Sequence, residues 1–448
     1  MITELIILLL LTLFALVIFG YIMTYKEYLY QKYISKKKES QNVIINNNNN
    51  DNEKKGILDI IKNYFTNDYI VYSKPKSKKD KTFTVLSYNI LAQKYINNRV
   101  KECKSLEKNI RLNNIVKEIK SINPEIFCLQ EATDDIIASH IIKEFENEYN
   151  LIYHNNEGSP LKNVIGVKKC RFDIINESKI IICDDKKRKT NINKDNKDNN
   201  DDDENSSNSS DNNNDENIIN NIQVDGNRGI INVCVKDKLV KDKLINIFCV
   251  HFPWRPIYEY QKARIMALLF DIILRKKINN VIIAGDFNSI PNSIVLRMAY
   301  YDDWNAEMTH NEQYINNFIF NKKESNLIKE TIAKMEKREN FNWTINGLLK
   351  ISRDIHDKYL FRSAYDNYRK EVKQNSHFCF LRNHPKYTNY TNKFIDTIDY
   401  ILYSKYLNKL KILKIPNVEN ENKDLKMFLP NEKHPSDHLK LAATFEYK

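Results

Sequence analysis

The sequence predicts an α/β protein in which two packed β-sheets are flanked by helices. Runs that alternate, or that are continuously apolar and rich in β-branched residues, are typical of strands. Between several of these runs lie segments whose apolar residues recur at helical spacing. Some neighbouring strands are expected to be antiparallel and others to be joined by a helical crossover, and this mixture favours two sheets with helices on their outer faces.

The expected elements follow from these patterns along the chain. Strands are expected at 82–91, 125–132, 163–175, 179–183, 229–236, 243–252, 281–286, 393–404 and 438–447. Helices are expected at 109–122, 134–149 and 261–276, and 296–362 is expected to be a largely helical elaboration. Asn123-Pro124 ends the first helix, because the residue before a proline disfavours helical backbone.

Asn/Asp/Lys-rich tracts at 44–55 and 190–221 are not expected to fold. Such tracts cannot bury enough apolar surface to offset the entropy lost on ordering. The second tract predicts a disordered surface insertion, 184–226, between two strands. The rest of 81–448 then forms one large catalytic domain of roughly 300 ordered residues.

The bulk composition narrows the partners and the compartment. The net charge of +12 favours nucleic acid, phosphorylated substrates or an acidic membrane face, although a compositional bias toward lysine explains it equally well. The seven cysteines form no CxxC motif and no cluster with zinc spacing. An odd, scattered set suits a reducing compartment.

The N-terminus predicts a membrane anchor. Residues 5–23 carry no charge and are long enough to span a bilayer as a helix. Basic residues follow this segment, so the rest of the chain is expected to face the cytosol. We therefore expect a single-pass anchor at 1–25 and a flexible tether at 26–80; the alternative is a cleaved signal peptide.

Polar side chains stand where the apolar runs end. They are the carboxylates, amides and imidazoles of Asn89, Glu131, His251, Asp286, Asn288, Asp399, Asp437 and His438. Each alone is explained by a turn cap, a solvated strand end or a core histidine. Together and in this order, they predict one sheet rim that binds a metal ion and a phosphoryl group.

Six motifs at these positions resemble those of the endonuclease/exonuclease/phosphatase superfamily. They are SYNIL (87–91), LQE (129–131), VHF (250–252), GDFNS (285–289), IDYILYS (398–404) and PSDH (435–438). Within the superfamily the chain is similar to the deadenylase branch, which includes the carbon catabolite repressor type deadenylases, nocturnin and the angel proteins. The resemblance implies a four-layer sandwich of two mixed β-sheets flanked by helices.

The resemblance also implies a metal site. It makes Glu131 the first metal ligand, with Asn89 beside it, and Asp437 a ligand of a second metal, with Ser436 in support. Mg²⁺, or Mn²⁺ in its place, suits such oxygen ligands, and either one or two ions are compatible with the residues.

The same resemblance implies roles in hydrolysis for the remaining motif residues. Asp286 is expected to orient or deprotonate the attacking water. Asn288 and His251 are expected to donate to the phosphate. Asp399 is expected to pair with His438 and to fix its tautomer and charge.

Three residues are expected to bind the substrate. Pro256 and Phe394 resemble a pair that sandwiches an adenine base, and Asn389 helps to position the nucleotide. The alternative is that Phe394 merely packs against its strand. The family usually has a glycine near position 396 or 397, where this chain has Asp396 and Thr397. The leucine-rich repeats of some deadenylases are absent.

The resulting prediction is a membrane-tethered, Mg²⁺-dependent 3′→5′ exoribonuclease that acts on poly(A)-like RNA 3′ ends. One alternative is a phosphatase or phosphodiesterase of the same fold that acts on a phosphoinositide, sphingomyelin or a nucleotide phosphate. Another is an inactive RNA-binding scaffold, against which the intact set of acids and imidazoles argues.

Overall fold

The structure is a computed structural model that describes residues 68–73, 81–96, 103–153, 160–182, 228–255, 258–300, 345–368, 383–418 and 428–448. The predicted anchor at 1–25 and the predicted insertion at 184–226 lie outside these stretches, as does 26–67 of the predicted tether. Within the described stretches, every helix is too short or too polar to cross a membrane.

The described elements include runs of consecutive strands as well as strands separated by helices. The strands are β1 (Tyr69–Val71), β2 (Thr82–Asn89), β3 (Ile126–Ala132), β4 (Tyr149–Tyr153), β5 (Lys162–Lys168), β6 (Phe172–Ile182), β7 (Arg228–Asp237), β8 (Leu244–His251), β9 (Asn280–Asp286), β10 (Arg362–Ser363), β11 (Asn389–Tyr390), β12 (Ile395–Asp396), β13 (Asp399–Tyr403), β14 (Leu407–Leu413) and β15 (Leu441–Tyr447). The helices are α1 (Lys108–Ile122), α2 (Asp134–Ile136, continuing through a π-helical segment, Ile137–Ile142, into Lys143–Phe145), α3 (Glu259–Lys276), α4 (Ile294–Tyr300) and α5 (Ile345–Tyr359).

The strands form two mixed sheets and one small hairpin. Sheet A has the order β1-β14-β15-β2-β3-β5-β4, and sheet B has the order β10-β13-β9-β8-β7-β6. Each sheet contains one parallel pair, β2–β3 in sheet A and β8–β9 in sheet B. Because a parallel connection needs a crossover, α1 and α3 join these pairs. Strands β11 and β12 form the separate hairpin.

Three apolar layers hold the sheets and helices together. The inner faces of the two sheets meet in one core, which includes Phe83 and Val85 of sheet A and Ile282 and Ala284 of sheet B. A second core packs α1 and α2 on the outer face of sheet A. A third packs α3, α4 and α5 on the outer face of sheet B. The predicted four-layer arrangement of two mixed sheets between helices is therefore confirmed.

Strand β9 shows why the central strands are continuously apolar. Val281 and Ile283 belong to the core under the helices, whereas Ile282 and Ala284 belong to the core between the sheets. A strand buried on both faces has no polar side to alternate with, so its sequence reads as an unbroken apolar run.

Five predicted elements differ from the structure in their boundaries. The single strand predicted at 163–175 is two strands, because the polar stretch Lys168–Arg171 closes a turn in which the Arg171 N–H donates to the Lys168 carbonyl. Residues 179–182 then continue β6 instead of forming their own strand. The helix predicted at 134–149 ends at Phe145, and Tyr149 already starts β4.

The strand predicted at 393–404 is also divided, between β12 and β13. The N–H groups of Ile398 and Asp399 donate to the Thr388 hydroxyl instead of to a neighbouring strand, so the ladder is interrupted there. The strand predicted at 438–447 begins at Leu441, and His438 forms only an isolated bridge with Asn389.

The predicted elaboration at 296–362 is described at its two ends. Helices α4 and α5 pack on the outer face of sheet B through residues such as Leu296 and Ile355, and 301–344 lies outside the described residues. The elaboration therefore extends the helical layer at both of its described ends, and β10 adds an edge strand to sheet B.

Candidate active site

The carboxyl ends of four strands meet at one rim of the sandwich. In sheet B, His251 on β8 lies beside Asp286 on β9, and Asp286 in turn lies opposite Asp399 on β13. In sheet A, Asn89 on β2 lies beside Gln130, the residue before Glu131 on β3. The two sheets therefore present their polar strand ends toward a common space.

One oxygen atom, Asp286 Oδ2, lies at the centre of this space. Asn89 Nδ2 donates to it at 3.0 Å and Asn288 Nδ2 at 3.2 Å. His251 Nε2 lies 3.6 Å from it and His438 Nε2 3.8 Å from it. Burial raises the pKa of Asp286, since the charged form loses hydration; His438 opposes this shift and the Asp399 carboxylate adds to it.

Glu131 faces Asp286 across the two sheets. Its Oε1 accepts from Asn89 Nδ2 at 3.3 Å and lies 3.8 Å from His251 Nε2. The same amide nitrogen of Asn89 therefore contacts a carboxylate from each sheet. Burial raises the pKa of Glu131, and the nearby Asp437 carboxylate raises it further.

The backbone at Glu131 is strained. Glu131 has φ 62°, in the left-handed region, and β3 carries an extra residue relative to β5 between Leu129 and Ala132. Such a bulge turns a side chain out of the normal alternation of the strand. Non-glycine residues at positive φ are costly and cluster at functional sites. Here the strained position is also anchored, because the Ala92 N–H donates to Glu131 Oε2 at 3.0 Å.

His438 and Asp399 form the tightest charged pair of the rim. His438 Nδ1 lies 2.8 Å from Asp399 Oδ2, and both side chains are buried. Burial alone lowers the pKa of His438, but the carboxylates of Asp399, Asp437 and Asp286 outweigh it and hold the pKa well above its usual value. These carboxylates therefore favour the charged form of the imidazole, whose Nε2 faces Asp286 in the rim.

We expect Asp399→Asn to lower kcat/KM by about 10²–10⁴-fold, because the imidazole of His438 loses the carboxylate that fixes its charge and tautomer. The amide keeps the shape of the carboxylate, so the fold should persist. Steady-state kinetics and a thermal unfolding curve on the same preparation check this. A variant with less than about a threefold change in kcat/KM would show that the pair is not used in turnover.

Asn288 braces Asp286. Its backbone N–H donates to Asp286 Oδ1 at 2.8 Å, and its amide nitrogen donates to the Phe252 carbonyl at 2.9 Å as well as to Asp286 Oδ2. The donors of Asn288 are thus engaged within the protein. Its predicted donation to a phosphate therefore requires that one of these bonds be exchanged for the substrate.

Asp437 and Ser436 join the rim from the segment before β15. Asp437 Oδ1 lies 3.9 Å from His438 Nε2. The Ser436 hydroxyl donates to the Asn89 carbonyl at 2.6 Å and lies 3.5 Å from Asp437 Oδ1. The hydroxyl therefore ties this segment to the end of β2, next to Asn89.

Arg111, which sequence reasoning missed, holds two segments of the rim together. It is fully buried on α1 and donates to the carbonyls of Ile90 (2.7 Å), Leu91 (2.8 Å) and Pro435 (3.1 Å). It thus fixes the loop after β2 against the segment that carries Asp437 and His438. The available signal was an arginine on the apolar stripe of an amphipathic helix, immediately before Leu112.

Two of the three predicted substrate-binding residues, Asn389 and Phe394, lie on the hairpin of β11 and β12. Asn389 on β11 is buried and bridges to His438, and the Tyr390 N–H donates to the Asp437 carbonyl at 3.2 Å. Phe394, between β11 and β12, is 43% exposed, so it is not a packed core residue. Pro256 lies outside the described residues.

The donors of this rim suit a hard divalent cation. Glu131 and Asp437 offer carboxylate oxygens, which are the ligands that Mg²⁺ prefers, whereas the Asn89 amide oxygen accepts from the Leu91 N–H at 3.0 Å and its nitrogen faces the carboxylates. Burial, and after it the Asp437 carboxylate, raise the pKa of Glu131, and a bound cation would offset both effects. Asp286, Asp399 and His438 form a compact cluster too, but Asp399 and His438 bond to each other there.

The chain matches one protein family over half of its length. Residues 212–438 match the profile of the Endonuclease/Exonuclease/phosphatase family. This range contains His251, Asp286 and Asp399, and it ends at His438. Asn89 and Glu131, contributed by sheet A, precede it.

Individual relatives share the fold. The chain is 31% identical to mouse (Mus musculus) Protein angel homolog 2 over 124 residues, a match that covers 26% of this chain and only 23% of that protein. It superposes on the crystal structure of ANGEL2, a 2′,3′-cyclic phosphatase, in complex with adenosine-2′,3′-vanadate, with a TM-score of 0.54 and 20% identity, covering 85% of this chain and 98% of the other. A second ANGEL2 structure gives 0.53 and 20% over 81% and 95%.

Proposed function

The chain belongs to the endonuclease/exonuclease/phosphatase family, and from this membership we propose that it is a divalent-metal-dependent phosphodiester hydrolase acting on RNA 3′ ends. Its first candidate reaction is the 3′→5′ shortening of poly(A)-like RNA. In that reaction water attacks the last phosphodiester and the 3′ oxygen of the preceding nucleotide leaves.

A single observation carries the proposal, namely the set of polar atoms around Asp286 Oδ2. Two amide nitrogens and two imidazole nitrogens from four separate segments lie within 3.8 Å of this oxygen. Burial raises the pKa of this carboxylate in spite of the surrounding donors, and strongly shifted titratable groups cluster at functional sites. Phosphodiester hydrolysis needs such a set, since a water must be activated beside groups that stabilise negative charge.

Asp286 is suited to the attacking water. Its carboxylate is held in one orientation by Asn89 and by the backbone and side chain of Asn288. Its raised pKa makes it a stronger base than an exposed aspartate, so it can accept a proton from water as the water attacks phosphorus.

His251 and His438 are suited to the phosphate. Each directs Nε2 toward the space in front of Asp286, and His438 is held in its charged form by Asp399. Imidazole N–H groups in these positions donate to the non-bridging oxygens, where negative charge grows in the transition state. When bound at Glu131, with Asp437 and Asn89 nearby, a divalent ion supplies the additional positive charge that this chemistry requires.

A second candidate reaction is the hydrolysis of a terminal 2′,3′-cyclic phosphate. The likeness to ANGEL2, a 2′,3′-cyclic phosphatase, over 85% of this chain favours it. The same rim serves both reactions, because each is attack of water on a phosphodiester at a ribose. They differ in the leaving group, which in the cyclic case is an oxygen of the same ribose.

A substrate panel separates the candidates. Full-length protein with Mg²⁺ is given oligo(A), oligo(U), an oligonucleotide ending in a 2′,3′-cyclic phosphate, NADPH, a phosphoinositide and sphingomyelin. Release of AMP from oligo(A) selects the exoribonuclease, and opening of the cyclic end without shortening selects the cyclic phosphatase. Turnover of only a lipid or NADPH would overturn the proposal of an RNA 3′ end.

We expect turnover to require a divalent cation, and we expect Glu131→Gln to raise the Mg²⁺ concentration for half-maximal rate by about tenfold or more. The reason is the loss of one anionic oxygen from a hard-cation site. Rates are measured after EDTA treatment and during Mg²⁺ and Mn²⁺ titrations, and calorimetry reports Mg²⁺ binding independently of rate. Full activity in EDTA would rule out the metal site.

A further inference from the structure

The exposed aromatic rings among the described residues lie on segments that adjoin active-site residues in sequence or through a backbone bridge. Tyr95, Trp254 and Phe394 are 56%, 62% and 43% exposed, and the other described aromatic side chains are buried or half-buried. Trp254 follows His251 by three residues, and Tyr95 follows Asn89 by six. Phe394 lies on the hairpin that bridges to His438.

Each of these rings has an exposed cation beside it. Lys94 Nζ lies 4.9 Å from the centre of the Tyr95 ring, and Arg255 Cζ lies 5.4 Å from that of Trp254. Lys393, also exposed, directly precedes Phe394. The same pairing of a flat apolar ring with a positive charge therefore occurs on three separate loops, each of which adjoins a segment that carries active-site residues.

Hydrogen bonds fix the loops that carry the exposed rings. Tyr95 belongs to a short 3₁₀ turn, Gln93–Tyr95, whose Gln93 side chain accepts from Arg111 Nε at 3.0 Å and donates to the Leu106 carbonyl at 3.1 Å. The N–H of Phe394 donates to the Thr391 hydroxyl at 3.0 Å. The Tyr258 N–H donates to the carbonyl of Arg255 at 3.0 Å, beside Trp254.

Resting on the function proposed above, we propose that Tyr95 and Trp254, with Lys94 and Arg255, form a binding surface for single-stranded RNA upstream of the reactive 3′ end. A base stacks on each ring and the adjoining phosphate pairs with the neighbouring cation, which is how single strands are held without sequence preference. The site is thereby selective for an RNA chain over a mononucleotide or a lipid phosphate.

Charge argues for RNA over a protein partner at this surface. Protein interfaces favour exposed aromatic rings too, but their buried centres are depleted of lysine. Here a lysine or arginine adjoins every ring, and the chain carries a net charge of +12. Both features match a polyanion whose bases and phosphates alternate.

The test measures binding apart from hydrolysis. Full-length Asp286→Asn protein is titrated in Mg²⁺ against a fluorescein-labelled oligo(A) that spans several nucleotides, and against a dinucleotide as a short competitor. Trp254→Ala and Tyr95→Ala are each expected to raise Kd for the long RNA by about tenfold, with little change for the dinucleotide. Trp254→Phe and Tyr95→Phe keep a ring and should restore affinity. Leu239→Ala, at a side chain 55% exposed and far from the rim in sheet B, is the matched control.

The outcomes separate this inference from the proposed function. Unchanged Kd for the long RNA in both alanine variants, or equal affinity for long and short RNA, overturns the binding surface even where wild-type protein hydrolyses RNA. A ring-dependent Kd in a protein whose wild type hydrolyses no RNA of the panel supports the surface and refutes the proposed reaction. Arg255→Ala should also reduce the salt dependence of Kd, which loss of packing alone would not do.

Discussion

Asp286→Asn is expected to lower kcat/KM on RNA by about 10³–10⁴-fold while changing the free energy of unfolding by less than about 1 kcal/mol, because the hydrogen bonds lost at Oδ2 and the relief of a buried charge oppose each other. The asparagine cannot accept a proton from water. It also removes a buried acid whose pKa the fold raises. A raised pKa means that the folded state disfavours the charged form, so at neutral pH the neutral side chain relieves a penalty. Guanidinium unfolding of the metal-free protein measures the stability. Steady-state kinetics, after Mg²⁺ is added back to the same preparation, measure kcat/KM.

Asp237→Asn is the matched control, because Asp237 is a buried aspartate with a structural environment. Its Oδ2 accepts from Arg171 Nη2 and from the Tyr447 hydroxyl, each at 2.7 Å, and it lies at the opposite end of β8 from His251. We expect the free energy of unfolding of this variant to fall by about 2–4 kcal/mol. At temperatures below its unfolding midpoint, we expect its kcat/KM to equal that of the wild type. Wild-type rates in Asp286→Asn, or a loss of stability like that of Asp237→Asn, would refute a chemical role for Asp286.

Gly285→Ala is expected to have the largest effect on stability, about 3–5 kcal/mol, and to abolish activity with it. Gly285 has φ 151°, a conformation that side chains rarely adopt. A Cβ there would lie 2.0 Å from the backbone oxygen of Val250 on the neighbouring strand, which cannot move aside without breaking the β8–β9 ladder. The glycine lets β9 approach β8 closely just where Asp286 and His251 must lie side by side.

The control for this substitution is Gly347→Ala, which makes the same chemical change within α5. Gly347 lies in the first turn of α5, where the helical preference for alanine over glycine is at most that of a helix interior, about 0.5–1 kcal/mol, so this variant should be neutral or slightly stabilised. Denaturant unfolding of the two variants and the wild type gives the comparison. Equal stability of all three proteins would mean that the backbone at Gly285 is less constrained than its φ and its contact with Val250 indicate.

Most of the fold was predictable because buried strands and amphipathic helices have recognisable patterns of apolar residues. The apolar run before Gly285 and the helical spacing of 261–276 identified β9 and α3 with small boundary errors. The predicted strand boundaries were wrong where hydrogen bonds to side chains replace the backbone hydrogen bonds of the sheet. Thr388, which takes the N–H groups of Ile398 and Asp399, left no local signal in 393–404, since it lies several residues away.

The positions of the polar strand ends were predictable, whereas their mutual geometry was not. Sequence order indicated that Glu131, Asp286 and His438 lie at one rim, and the structure brings them to one space. The strained backbone of Glu131 arises from the pairing of β3 with β5, which no local pattern encodes. Arg111 likewise acts on residues from both 90–91 and 435, so its role depends on contacts that are distant in sequence.

The place of β15 has a consequence for how the protein is made. This strand lies in the middle of sheet A, between β14 and β2, and Asp437 and His438 directly precede it. A ribosome must therefore translate beyond residue 441 before β2 gains its antiparallel neighbour, although earlier segments emerge and begin to fold much sooner. We expect the nascent polypeptide to have no activity throughout that interval, and a premature stop codon upstream of residue 437 would yield a product that lacks β15 and His438, one of the two histidines proposed to contact the phosphate.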